Sequence, residues 1–488
     1  MEESLSPWNS RSMTNREPIT SLRTPQTPMG VLTDRELLLV DLVQGKRVLH
    51  ARVLPREANA LGSLLDYLWQ EAVSSVWVLP STRLSQRVTC AELEQLSTHW
   101  TALVHPAPSE PTRPSCALIW PKTSTLGQAR RLALAFPEHA AWDWRLADAT
   151  SLLATATYLD ELLGRHVIEA PEPLSHQLLS ELTLDQPTSQ PRSPAVDPAS
   201  LSSSDGTSIP LMEGGGALSW MRPLNLVEHR QRYLHKYAFF SGPLQACLDV
   251  QLGAGVPQFS SSGRACDGVR PGLWRVSLER AGSLFDGKLL PSGLDQAWMS
   301  TPQVACCRDI GYRVLVREGY IWQESHQLLK RWATTLWQAA QRLHTHPQHY
   351  RHAQARANAS QSIQRIAELG VDLLARPESA GGWGRPDWWA QIAGRGRALL
   401  FARLARLVKR GTMPVLLDAD AIWVVSNDPN PLTAVPGLLS SAGRWSGYTL
   451  GYEVPLPLTP EVRDALGGTG TVDQVVKLLD ALAGEVFP

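Results

Sequence analysis

The stretch Pro-Val-Leu-Leu-Asp-Ala-Asp-Ala-Ile-Trp-Val-Val-Ser-Asn-Asp, residues 414–428, decides how the chain is read. Apolar runs at 413–417 and 422–426 flank Asp418-Ala419-Asp420, so the pattern is strand, acidic turn, strand. A spacing of two puts Asp418 and Asp420 on one face of an extended segment, with Ala419 pointing away. Paired carboxylates on a tight turn suit the binding of hard divalent cations about 4 Å apart, as two-metal phosphoryl transfer requires. An isolated Asp-x-Asp is also an ordinary β-turn, so its surroundings must decide between the two.

Upstream of the hairpin, Asp387 suits the N-cap or the first turn of an expected helix through Leu407, and Gly411 stands where a C-cap glycine would. Before that come two helical patterns, 323–342 and 355–375, and before those, strands at 233–240, 272–278 and 312–317. The N-terminal third has its own pattern. A hairpin at 37–42 and 47–53 is followed by a helix over 57–73, strands at 76–79 and 117–120, and a helix over 147–163. Residues 1–33 and 184–218 are rich in Ser, Thr and Pro and are expected to be a disordered tail and a flexible linker.

In this order the elements resemble family B DNA polymerases over roughly 220–460. Residues 414–428 look like motif C, the palm hairpin that holds the catalytic metals. Residues 389–397 resemble the palm helix before it, and 448–453 the strand with a leucine-glycine step after it. The two helices at 323–342 and 355–375 would be the fingers. Pro271–Val276 and Trp298–Pro302 are similar to the palm strand and threonine-bearing turn of the smaller, protein-primed and mobile-element polymerases.

Tyr-Leu-His-Lys-Tyr-Ala-Phe-Phe-Ser-Gly-Pro-Leu, residues 233–244, takes the place of motif A. The family's metal-bridging aspartate is here Ala238, and of the motif's side chains Ser241 remains. Aligning the motif B glycine on Gly370 leaves Ser362 at the triphosphate lysine and Ile366 at the asparagine, with Arg365 or Gln361 as partial substitutes. Metal placement is nearly all the protein contributes to this chemistry, so these losses imply little nucleotidyl transfer. Asp249 or Asp267 would have to replace the missing carboxylate. Either the chain is a natural pseudo-enzyme that binds DNA or the DNA ends of a mobile element or linear replicon, or residue 238 replaces the aspartate of an active polymerase.

The resemblance implies an α+β chain: a ribonuclease H-like, exonuclease-like α/β domain at 34–183, then a palm with an antiparallel sheet (219–322 and 381–460), two-helix fingers (323–380) and a C-terminal helical segment (461–488). The exonuclease motif Asp-x-Glu would fall on the strand Leu-Leu-Leu-Val-Asp-Leu-Val, which offers Asp41 but Val43. Asp143, Asp148 and Asp160, with Tyr158, are the later acidic positions, and ordinary helix carboxylates explain them as well. A nuclease confined to this domain is a third reading, and a scaffold without nucleic-acid affinity a fourth. The implied cofactor is Mg²⁺ or Mn²⁺, weakly held or absent if the site is degenerate, on Asp418 and Asp420. The implied partners are DNA and a terminal or accessory protein.

Charge and composition narrow this further. Lys plus Arg equals Asp plus Glu at 46 each, so attraction to nucleic acid must come from local segregation. Arg395, Arg397, Arg403, Arg406, Lys409 and Arg410 supply it on one helix and are the expected DNA contacts, although a solvated amphipathic face has the same pattern. The run 344–352 holds four histidines and reads as a fingertip turn before it reads as a zinc site. Eighteen tryptophans are mostly core, with some available to stack on bases. The six cysteines form no C-x-x-C pair, and neither a secretory leader nor an 18-residue apolar run is present, so a cytoplasmic protein without membrane association is expected.

Overall fold

The computed structural model describes residues 29–486 apart from 44–45, 55–60, 72, 74, 97–99, 108–109, 122–131, 138–141, 143, 145–147, 166, 168–170, 185–200, 202–219, 281–294, 310, 377–383, 419–420, 436–437, 439–447, 451–454 and 469. Ala419, Asp420, Asp143, the residues 1–28 of the expected tail and nearly all of the expected linker lie outside the described residues. The chain divides into two compact units at Glu169/Ala170. No helix among the described residues is long and apolar enough to cross a membrane. The six cysteines are free thiols, five of them buried.

The first unit is a seven-stranded sheet with helices. Its elements are β1 (Met29–Leu32), β2 (Glu36–Val43), β3 (Lys46–Val53), α1 (Leu61–Gln70), β4 (Ser75–Val78), α2 (Arg83–Arg87), α3 (Cys90–Glu94), β5 (Trp100–Pro106), β6 (Pro114–Pro121), β7 (Leu132–Ala135) and α4 (Ala149–Leu163). The strand order is β3-β2-β1-β4-β7-β6-β5. β1 runs parallel to β4 and β4 to β7, while the other neighbours are antiparallel. The expectation of a tail through residue 33 is corrected here: Met29–Leu32 is a central strand, buried at all four positions. Four apolar residues are too few to show a period, and only pairing on both sides makes them a strand.

The second unit begins with α5 (Pro171–Leu184), which sequence reading places in the first domain. Ser175 Oγ donates to the Ile366 carbonyl at 2.7 Å, and Arg376 pairs with Glu172 at 2.9 Å, so α5 packs on the helix Ala353–Ala375 instead. There follow β8 (Trp220–Met221), β9 (Tyr233–Phe239), α6 (Gly242–Cys247), β10 (Leu252–Ala254), β11 (Gln258–Ser260), β12 (Gly272–Arg280), β13 (Asp295–Ser300), α7 (Thr301–Asp309), β14 (Tyr312–Ile321) and β15 (Glu324–His326). The chain continues with α8 (Lys330–Thr345), α9 (Ala353–Ala375), α10 (Pro386–Lys409), β16 (Leu416–Asp418), β17 (Ala421–Ser426), α11 (Pro431–Ala434), β18 (Tyr448–Leu450), β19 (Leu456–Pro457), α12 (Pro460–Gly467) and α13 (Val472–Val486). The helix expected from 323 starts only at Lys330, because residues 324–326 pair with β10.

The expected hairpin is β16–β17, inside an antiparallel sheet ordered β18-β9-β17-β16-β8, with β19 also pairing β9. Period-two alternation gives this sheet two faces. Tyr237, Phe239, Leu417, Ile422 and Val424 pack in one core with Leu400, Phe401 and Leu404 of α10 and with Trp274 and Val276 of the β11-β14-β12-β13 sheet. Leu234, Leu416, Ala421 and Trp423 pack on the other side with Val462, Val475, Val476 and Leu479 of α12 and α13.

Candidate functional site: the acidic hairpin and its surroundings

Register places Asp418 opposite Ala421, Ala421 opposite Ala238, and Ala238 opposite Thr449. Directly paired residues project to the same side, so Asp418, Ala421 and Ala238 form a transverse row on the face that α12 and α13 cover further along. Strand spacing of about 4.8 Å puts the Asp418 and Ala238 backbones roughly 10 Å apart, with one strand between. Asp418 and Ala238 are both half-buried. The next residue of β9 on this face, Lys236, lies with its Nζ 4.8 Å from the centre of the Trp423 ring and pairs with Asp480 of α13 at 2.7 Å.

A two-metal centre needs several carboxylate oxygens around one space. In this row the described residues give Asp418, then the methyl groups of Ala421 and, one strand further, Ala238. Among the described residues no group of three His, Cys, Asp or Glu stands close enough to hold a metal. Asp420, the other carboxylate of the hairpin, lies outside the described residues. Neither substitute carboxylate is at hand. Asp249 is gripped in two-pronged fashion by Arg395, Nε to Oδ1 at 3.1 Å and Nη2 to Oδ2 at 2.6 Å. Asp267 accepts the backbone N–H groups of Val269 and Arg270 and the Arg270 Nε at 2.6 Å, within an exposed turn.

Ser241 lies just beyond the end of β9 and is the one non-glycine residue among those described with positive φ, 34°. Its buried Oγ accepts the Leu244 N–H at 3.2 Å, so the hydroxyl caps α6. Gln245 of α6 donates back to the Phe240 carbonyl at 3.2 Å. Arg403 donates to Gln245 Oε1 at 2.6 Å, and its guanidinium lies 3.8 Å from the centre of the Phe239 ring. Gly396 lets α10 approach this corner: an added Cβ would meet the Gly242 backbone at 3.4 Å. Sequence reasoning misses this corner, because nothing in the spacing of Arg395 and Arg403 says they turn inward.

The basic helix is thus divided. Arg395 and Arg403 hold α6 and the segment after it. Arg397 is half-buried, and burial lowers its guanidinium from the ordinary arginine value. Arg406, Lys409 and Arg410 are exposed at the last turn. On α9, Gln361 is exposed and Arg365 lies 3.9 Å from Glu368, whose carboxyl is pushed up chiefly by burial. The aligned positions Ser362 and Ile366 are buried, and the Ser362 hydroxyl donates to the Asn358 carbonyl at 2.8 Å, so in this register neither faces solvent. Gly370 packs against Trp332 of α8 and Ser175 of α5, which is a reason for glycine unrelated to a nucleotide.

The other candidates have structural roles. His344 is pushed down to about 4, first by burial and then by Arg356, and His352 caps α9 by accepting the Ala355 N–H at 3.2 Å. Trp322, Trp332 and Trp388 are core residues. Asp148 caps α4, accepting the Ser151 N–H at 2.7 Å, and Asp160 is buried, accepting the Val167 N–H at 2.8 Å. Asp41 lies on β2, in register with Val48. The strand expected to open the first domain is in fact its second, and the first, Met-Gly-Val-Leu, carries no carboxylate.

No family model matches the chain, and no curated protein matches it. Among solved structures it is similar to Phi29 DNA polymerase complexed with primer-template DNA and incoming nucleotide substrates, at a TM-score of 0.42 and 9% identity, over 84% of this chain and 82% of that one. The post-translocation binary complex with primer-template DNA gives 0.42 and 9%, over 86% and 84%. The complex with single-stranded DNA gives 0.39 and 8%, over 83% and 81%.

Proposed function

We propose that the chain is a DNA-binding protein of DNA polymerase-like architecture that does not itself carry out nucleotidyl transfer. The observation that carries this reading is the row across the central sheet, where Ala238 presents a methyl group to the side on which Asp418 presents its carboxylate. The topology supports the same reading. A central strand pairs with the acidic hairpin, a helical pair precedes a long helix, and that helix packs beneath the sheet. In the first unit, the β3-β2-β1-β4-β7 order, with β1, β4 and β7 parallel, supports the ribonuclease H-like reading of this domain. Its capping and buried aspartates favour a structural over a nucleolytic role.

Metal chemistry at the hairpin would have to be supplied by Asp418 and Asp420 without the residue at 238. One such pair can hold a cation, but it leaves the attacking and leaving oxygens without the second ion that two-metal catalysis uses. The test is extension of a labelled primer-template with deoxynucleotides and Mg²⁺ or Mn²⁺, by this chain and by Ala238→Asp, with binding of the same DNA measured in parallel. Binding without extension by either protein is the expected result. Extension by the unaltered chain would overturn the reading, and extension by Ala238→Asp alone would mean that a single side chain separates this protein from an active polymerase.

A further inference from the structure

The basic helix and the acidic hairpin serve opposite sides of the central sheet. α10 packs through Leu400, Phe401 and Leu404 on the Tyr237 face, whereas the Asp418 row projects from the other face. Whatever touches the outward side of α10 is separated from the acidic hairpin by the sheet and the helix layer, each about 10 Å thick.

From 388 to 412 the chain contains Arg395, Arg397, Arg403, Arg406, Lys409 and Arg410 and no acidic residue. The first three are engaged with or buried in the protein, as described above. Arg406, Lys409 and Arg410 are exposed within one turn. Neither Arg406 nor Lys409 meets a carboxylate among the described residues. Cations in a last turn also offset the helix dipole. That accounts for a basic residue here but does not call for three on a helix whose single acid, Asp387, is buried against Arg385.

We propose that this exposed end of α10 binds the phosphate backbone of duplex DNA on the side of the sheet away from the acidic hairpin. The inference rests on the DNA-binding reading above and adds the place of contact. Arg and Lys side chains in a cluster without acids fix a duplex by its phosphates, with little sequence preference and with strong dependence on salt. A duplex seated there has no strand end at Asp418, which suits a protein that holds DNA without extending it.

The test is fluorescence anisotropy of a labelled blunt duplex titrated with the full chain at several salt concentrations. The proteins are the unaltered chain, the triple variant Arg406→Gln/Lys409→Gln/Arg410→Gln, and Lys477→Gln. Lys477 is an exposed cation on α13, on the hairpin side of the sheet. The triple variant should bind at least about tenfold more weakly, and its slope of log affinity against log salt should fall by up to about 2.7, at roughly 0.9 for each phosphate no longer neutralised. Lys477→Gln should match the unaltered chain. If circular dichroism shows the triple variant unfolded, Arg406→Gln alone should lower the slope by about 0.9. Unaltered affinity and slope in the triple variant, or a larger loss in Lys477→Gln, would overturn this surface and leave the DNA-binding reading standing. No duplex or primer-template binding by the unaltered chain would overturn that reading as well. Binding to phosphatidylserine vesicles in place of duplex would overturn the assignment to DNA and show that the cluster serves a lipid surface.

Discussion

Replacing Ala238 with aspartate should destabilise the metal-free protein by an amount the register lets one estimate. The new carboxylate would lie on the same face as Asp418, two strands away, at roughly 10 Å. Two like charges at that distance repel by about 0.4 kcal/mol in bulk water and about 1.7 kcal/mol at an effective dielectric of about 20. Asp418 and Ala238 are half-buried, so the value should lie between these limits. Aspartate is also a poor strand residue, at a cost of up to about 1 kcal/mol. Urea unfolding in EDTA should therefore show a loss of about 0.4–2.7 kcal/mol relative to the unaltered chain. If the aspartate completes a cation site with the hairpin, Mn²⁺ at ten times its Kd should return about 1.4 kcal/mol, and it should return nothing to the unaltered chain. A variant as stable as its parent in EDTA and insensitive to Mn²⁺ would refute the placement of residue 238 on the same face as Asp418, two strands away.

Two further outcomes follow from packing and protonation. Gly370→Val would place its Cβ 2.5 Å from Trp332 Cζ2 and 2.8 Å from Ser175 Oγ, and overpacking of this kind should cost about 1–3 kcal/mol in denaturant unfolding; a variant of unchanged midpoint would mean that α5 does not seat against α8 and α9 as described. His344 is held at about 4 in the folded protein, below its ordinary value of 6.5, so the unfolded chain binds the proton more readily between those values. Its contribution to stability is complete above pH 6.5 and is lost as pH falls toward 4, by up to about 3 kcal/mol. His344→Gln should flatten that part of the pH-stability curve, and an unchanged slope would contradict the burial of this ring.

The parts of the fold legible in the sequence are those where local pattern and final partner agree. The β16–β17 hairpin announces itself because two apolar runs flank an acidic turn, and α9 and α10 because their apolar period persists over five or more turns. β1 is hidden because four residues carry no period, and their identity as a strand comes from β2 and β4. The start of α8 is misread because Glu324–His326 takes its conformation from β10, some 70 residues earlier. The candidate site divides in the same way. Asp418 and the methyl at 238 are visible in the sequence, but their shared row is a matter of register. The inward turn of Arg395 and Arg403 depends on Asp249, Gln245 and Phe239, partners that no local pattern connects to them.

The central strand β9 also sets a timetable for the ribosome. Its hydrogen-bonding partners are β17, β18 and β19, the nearest of which begins about 180 residues downstream. At about 5–20 residues per second, Leu234, Tyr237 and Phe239 leave the exit tunnel about 10–40 s before the hairpin that will cover them has been made. Through that interval an unpaired apolar strand waits on both edges for sequence that does not yet exist. Synthesis of this protein should therefore draw on chaperones that shield nascent chains, and products cut short before residue 421 should be cleared or aggregate.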